Sequence, residues 1–120
     1  MKKSISPHVS IYKFPITAIS SIATRLSGLY LTGIYITAGT ACLFGVDPIK
    51  KYNETEGFHK TFINYSIIVP SVYHSFGGIR HFIWDKYPKL LTNSQVGKSS
   101  YIIFGATAVT SFLFENYIKK

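Results

Sequence analysis

Acidic side chains are scarce in this 120-residue chain: five Asp and Glu stand against thirteen Lys and Arg, for a formal charge of +8. Charged residues of either sign make up only 15% of the sequence and are missing altogether from three long segments, which excludes an ordinary soluble core and fits a membrane protein. A single cysteine, Cys42, excludes an intrachain disulfide and a cluster site of the iron–sulfur kind. Inside an apolar run it is expected to be a buried packing thiol. There is no flavin or nucleotide motif, no internal repeat and no low-complexity tract. Met1-Lys2-Lys3 is followed by polar residues and Pro7, so no removable secretory signal is expected, nor is there an Arg-rich, Ser-rich presequence. The positive charge raises the question of nucleic acid, but a basic soluble module has no use for three apolar runs. The expected surroundings are a lipid bilayer, with no nucleic acid.

What is present is long apolar sequence. From Leu26 to Val46 run 21 residues without a charge, about 30 Å as a helix, which matches a hydrocarbon core. From Thr61 to Ile79 there are 19, interrupted by Pro70, which kinks a helix but is tolerated in a membrane. The third run, Ser99 to Phe114, has 16 and crosses only with Lys98 and Glu115 at its two boundaries. The expected fold is an all-α membrane protein with three transmembrane helices, one domain over 1–120. An inside-face segment 1–20 leads to helices at 21–46, 59–84 and 98–118. Two polar loops, Asp47 to Lys60 and Tyr87 to Lys98, join them. Lys2, Lys3, Lys13 and Arg25 open the chain with no acid, and Arg80, Lys86, Lys89 and Lys98 outweigh Asp85 between the second and third helices. The positive-inside rule places both regions, and the N-terminus, on the inner side and the C-terminus outside.

Two histidines stand out within this frame. His74 and His81 are seven apart, so on a helix they project within about 20° of each other and about 10 Å apart along the axis. That spacing suits a flat cofactor ligated at depth with its polar edge near water, and membrane-embedded histidines are usually functional. For His74 the alternatives are a hydrogen bond between helices or a place on a water cavity. Gly77 and Gly78 leave room for a macrocycle beside it and equally serve close packing. Ser21 and Arg25, four apart on the first helix, share a face, while Arg80, His81 and Asp85 end the second helix on the same side of the membrane. Together these supply donors and a proton route for a quinone head group. The alternative is that both arginines snorkel to the interface and Ser21 only packs.

Three stretches carry a family resemblance: Ser6-Pro7-His8-Val9-Ser10-Ile11-Tyr12-Lys13, Ser21-Ile22-Ala23-Thr24-Arg25-Leu26-Ser27-Gly28, and His74 through Gly78-Ile79-Arg80-His81-Phe82-Ile83-Trp84-Asp85. They closely resemble the cytochrome b subunit of succinate dehydrogenase, the succinate:ubiquinone reductase of respiratory complex II. The resemblance covers most of the chain and implies a heteromeric helical bundle. It implies that His74 is an axial ligand of haem b, with the second ligand from a companion membrane-anchor subunit. It implies that Ser21 and Arg25 help form the ubiquinone pocket with Trp84 and Asp85. Arg25 and His81, with Thr24 and Arg80 beside them, fall near the haem propionates. A flavoprotein subunit and an iron–sulfur subunit would dock on the inside face and deliver electrons to ubiquinone. The implied location is the mitochondrial inner membrane with the N-terminus on the matrix side; a bacterial plasma membrane, N-terminus cytoplasmic, suits the same physics.

Thr24 departs from the family pattern, which commonly has histidine before the arginine. A hydroxyl donates one hydrogen bond but brings no imidazolium charge. Two alternatives therefore stay open: a haem-free structural anchor of the same complex, and an unrelated three-helix membrane transport subunit. The latter leaves the docking-type segment Ser6–Lys13 unexplained. The charge pattern itself makes one prediction. Protease added from the inner face should cleave at both Lys13 and Lys86, and cleavage of both from the outer face would overturn the topology.

Overall fold

The computed structural model describes residues 13–119. Over that span the chain forms four α-helices, α1 (Ile16–Leu43), α2 (Pro48–Glu54), α3 (Gly57–Lys86) and α4 (Asn93–Ile118), with a 3-10 turn at Pro88–Leu90. Residues 1–12, which hold most of the docking-type segment, lie outside the described residues.

Local chemistry sets the boundaries. α1 closes when Gly45 takes φ +77°, a left-handed conformation that only glycine adopts without steric cost. The Gly45 N–H then donates to the Cys42 carbonyl at 3.0 Å and the Val46 N–H to that of Ala41 at 2.9 Å, satisfying carbonyls at the end of the helix. Asp47 immediately starts a new helix. Its Oδ1 accepts from the backbone N–H groups of Ile49 (2.9 Å) and Lys50 (3.1 Å), and Pro48 stands at the first helical position, where no N–H is required. The stretch read as a polar loop from Asp47 to Lys60 thus contains α2. Likewise α4 begins at Asn93, before the expected residue 98, because Thr92 caps it by accepting from the Gln95 N–H at 3.4 Å. α3 runs unbroken through Pro70.

The three long helices pack side by side. α1 and α3 are antiparallel, since Thr24 meets Gly77 and Gly28 meets His74. α3 and α4 are also antiparallel, with Arg80 on Ser100 and Tyr73 stacked on Phe104 at 5.1 Å between ring centroids. α1 and α4 therefore run parallel, and Ile16 touches Gly97 at the shared end. α2 leans on the other end, where the Tyr52 hydroxyl donates to Asn64 Oδ1 at 2.7 Å.

The interior is small and polar, and the outside is apolar. Ser20 and Ser100 are fully buried while Leu29, Ile36 and Leu43 are 70%, 63% and 87% exposed. α4 turns residues 100, 103, 107, 111 and 115 inward, all but Ile103 polar. This is the pattern expected of a bundle in lipid, where burying leucine against leucine gains nothing and small, hydrogen-bonding residues that allow close approach take the contact positions. α1 is long and apolar enough to cross a membrane; α3 and α4, at 30 and 26 residues, extend about 45 and 39 Å. Cys42 differs from expectation: in the last turn of α1 it is exposed rather than packed. Glu115 is turned inward and 1% exposed.

The closest approach of the helices is also the most sensitive to volume. A Cβ at Gly77 would stand 2.6 Å from Thr24 Cγ2, nearer than two carbons allow. Gly77→Ala should cost about 1–3 kcal/mol of stability by overpacking. Thr24→Ser, which removes that methyl, should recover part of the loss in the double variant, as thermal unfolding of the detergent-purified protein would show.

Candidate functional site

His74 lies past the middle of α3, and its ring leans across onto α1. Nδ1 is 3.0 Å from the Thr24 carbonyl oxygen and 3.4 Å from Ser27 Oγ. A carbonyl only accepts, so the proton of the neutral ring sits on Nδ1. Nε2 is left with its lone pair, the form in which histidine binds a metal, and the Nδ1 bond fixes the ring orientation as metal-ligating histidines require. Ser27 Oγ donates to the same Thr24 carbonyl at 2.8 Å, so that oxygen gathers two donors. Gly28 makes the lean possible, since a Cβ there would stand 2.6 Å from His74 Cε1. Even so, His74 remains exposed overall and open toward whatever adjoins the bundle.

Gly78, His81 and Asp85 follow His74 at four, seven and eleven residues and share its stripe to within about 40°. A Cβ at Gly78 would meet nothing within 4 Å. The glycine pair therefore divides its work: Gly77 receives Thr24, and Gly78 keeps open ground beside His74. His81 and Asp85 are exposed, and His81 meets Trp84 edge to face at 5.5 Å between centroids. On α1, Ser21 is half-buried and Arg25 exposed, one residue beyond the Thr24 carbonyl that His74 grips.

Two residues grouped with this stripe on sequence grounds are turned elsewhere. Arg80, only one residue from His81, is rotated by about 100° and enters the bundle, where it is 6% exposed. Its guanidinium donates to Ser100 Oγ at 3.0 Å and lies over the Trp84 ring at 4.8 Å. Thr24 is buried, with its methyl against Gly77 and its hydroxyl donating to the Ser20 carbonyl at 3.0 Å. Neither side chain faces the stripe of His74 and His81, although the Thr24 backbone carbonyl holds the His74 ring. Among the described residues neither Ser21 nor Arg25 hydrogen-bonds Asp85. Sequence reasoning assigned no role to Ser20, Ser27 or Tyr73 and did not connect Gly28 to His74; yet Tyr73 donates to the Ser20 carbonyl at 3.2 Å and Gly28 seats the histidine. The readable signal was Ser20-xxx-Thr24-xxx-Gly28, a small-residue stripe at helical spacing.

Among the described residues no three His, Cys, Asp or Glu side chains come together. A metal held at Nε2 of His74 would take its remaining ligands from a macrocycle or another chain. A profile described as succinate dehydrogenase/fumarate reductase transmembrane subunit matches residues 1–114. The chain belongs to this family. Its relatives include the mitochondrial succinate dehydrogenase cytochrome b560 subunit of Dictyostelium discoideum, 34% identical over 113 residues, which cover 91% of this chain and 59% of that protein. The subunit of the same name from Bos taurus is 30% identical over 124 residues, with coverage of 92% and 69%. The succinate dehydrogenase cytochrome b560 subunit of Reclinomonas americana is 33% identical over 94 residues, with coverage of 71% and 65%. The chain thus spans about three-fifths to two-thirds of these relatives' lengths.

For a transmembrane subunit, a guanidinium inside the bundle is costly and needs each of its partners. Ser100 is the one hydrogen-bond acceptor Arg80 has among the described residues, and Arg80 Nε has none. Ser100→Ala should therefore lower stability by about 1–3 kcal/mol. Thermal unfolding in detergent measures it, and an unchanged midpoint would mean that Trp84 alone suffices.

Proposed function

We propose that α1, α3 and α4 each cross the membrane and that the chain is the cytochrome b-type anchor of a succinate dehydrogenase, helping to bind haem b and to pass electrons from an iron–sulfur subunit to ubiquinone. The observation that carries this reading is the His74 ring, seated on Gly28 with Nδ1 held by the Thr24 carbonyl and Nε2 free. The fit to haem rests on that donor and on the open ground at Gly78. His74 Nε2 would hold the haem iron together with a residue of a second membrane-anchor subunit. Haem b, when bound, supplies a one-electron store close to the quinone.

The chain's own residues bind, orient and move protons. Arg25 carries the positive charge that propionates need, and the His81 ring can offer an N–H, both toward the inner side. Ser21 and Arg25 hydrogen-bond the quinone head, Trp84 walls the region, and Asp85 relays protons from the inner face. Electrons come singly from the iron–sulfur subunit, which a flavoprotein subunit feeds, and two of them with two protons convert ubiquinone to ubiquinol. The mitochondrial names of the Dictyostelium and Bos relatives support the inner mitochondrial membrane, and the excess of Lys and Arg before α1 and after α3 argues for the N-terminus on the matrix side. One observation favours a second reading, a haem-free anchor of the same complex: the Thr24 hydroxyl is already engaged by Ser20 and offers nothing to a propionate.

A reduced-minus-oxidised spectrum of the assembled complex separates the two readings. His74→Ala should abolish a low-spin bis-histidine signature, and Gly28→Ala, which forces the ring aside, should weaken or shift it. An unchanged spectrum in His74→Ala would remove it as ligand. Arg25→Ala should lower ubiquinone reduction while reduction of an artificial acceptor by the soluble subunits persists, and Ser21→Ala should do the same more mildly, by about 1–3 kcal/mol of binding. Wild-type ubiquinone kinetics in intact Arg25→Ala complex would remove Arg25 from the pocket.

A further inference from the structure

The end of the bundle away from His81 holds a second buried charge that the quinone chemistry does not use. Glu115 is 1% exposed, deep between α4 and α3, yet neither of its carboxylate oxygens accepts a hydrogen bond among the described residues. Its one ionic neighbour is Lys119, a turn later on α4, whose Nζ lies 3.2 Å from Oε1 and whose side chain is half exposed. Oε1 faces the Lys119 ammonium, while Oε2 has no partner among the described residues, and a buried acceptor left without one is costly.

The carboxylate borders a cleft of about 400 Å³ lined also by Lys60, Thr61, Asn64, Ile118 and Lys119. That is within the size range of small-ligand sites. Its polar groups are fixed rather than loose. Lys60 Nζ lies over the Tyr52 ring at 5.0 Å, and the Tyr52 hydroxyl holds Asn64. The cleft therefore presents a negative group at its buried wall and two ammonium groups at its mouth. Phe58, Phe62 and Phe114, next in sequence to the lining residues Gly57, Thr61 and Glu115, are exposed apolar side chains at 79%, 64% and 52%.

We infer that this cleft binds the head group of a phospholipid bearing a primary amine, a phosphatidylethanolamine type. The lipid's ammonium donates to Glu115, its phosphodiester meets Lys60 and Lys119, and its acyl chains lie along the aromatic flank. Oε2, which has no donor among the described residues, selects for this head group over phosphatidylcholine, whose quaternary ammonium has no N–H to give. The apolar flank distinguishes a lipid from its soluble head group. The inference rests on the reading of α3 and α4 as membrane helices, since only then does the cleft reach the lipid head-group level.

The test uses the assembled complex, stripped of endogenous lipid and reconstituted in nanodiscs of equal phosphatidylethanolamine and phosphatidylcholine. Incorporation into the nanodisc checks the membrane reading by itself. Lipid co-purifying with the protein after re-extraction is then quantified by mass spectrometry. Wild-type protein should retain the ethanolamine lipid over the choline lipid by about fivefold or more. Soluble glycerophosphoethanolamine should fail to displace it. In Glu115→Gln and, independently, Lys60→Met the ratio should fall toward that of the bulk. Incorporation with a bulk ratio in the wild type would overturn the inference, as would an undiminished preference in both variants; displacement by the soluble head group would show that no lipid is required and overturn it likewise.

Discussion

The contact between α1 and α3 depends on two side chains entering two spaces that glycine leaves. Thr24 fills the space at Gly77, and His74 fills the space at Gly28. Because the helices come that close, a backbone carbonyl of one reaches the imidazole of the other, and the Thr24 oxygen holds Nδ1 at 3.0 Å. Packing and chemistry share the same atoms here. The ring cannot turn without separating the helices, and its tautomer is set by an acceptor that cannot itself donate. The rest of the stripe, Gly78, His81 and Asp85, gains its meaning from that one fixed ring.

The remainder of the bundle has a polar interior with a buried charge toward each end. Arg80 lies toward one end, with Ser100 and the Trp84 face, and Glu115 toward the other, with Lys119. In water such groups would be weak evidence of stability, since their desolvation rivals the attraction they gain. Between helices in an apolar medium Arg80 does something different: it penalises any register that removes Ser100, and with the Tyr73–Phe104 stack it specifies the antiparallel alignment of α3 with α4, whereas Glu115 and Lys119 both belong to the α4 end.

The site on this chain is partial by construction. One histidine nitrogen is prepared, no cluster of three ligating side chains exists among the described residues, and the stripe that carries it is exposed. Large apolar side chains such as Tyr35 and Phe82 are exposed with it, at 67% and 71%. An open face with one prepared ligand fits a family described as the transmembrane subunit of a larger enzyme.

Much was legible in the order of residues alone. The three charge-free runs marked the long helices, because a charge within an apolar span is too costly to place at random. The blocks Ser21–Gly28 and His74–Asp85 marked the family, and helical periodicity put His74, His81 and Asp85 on one stripe. The capping residues Asp47 and Thr92 were equally readable, though they were passed over in favour of loops. What the sequence could not decide was direction about each helix axis. Arg80 and His81 are neighbours in the chain and point about 100° apart, so only packing against α4 shows that one enters the bundle and the other stays outside. The same holds for Gly77 and Gly78, for Ser20 and Ser21, and for the inward turn of Glu115. Periodicity fixes angles relative to one another, while the absolute rotation of a helix comes from the close contacts it makes with its neighbours, and these exist only in the folded bundle.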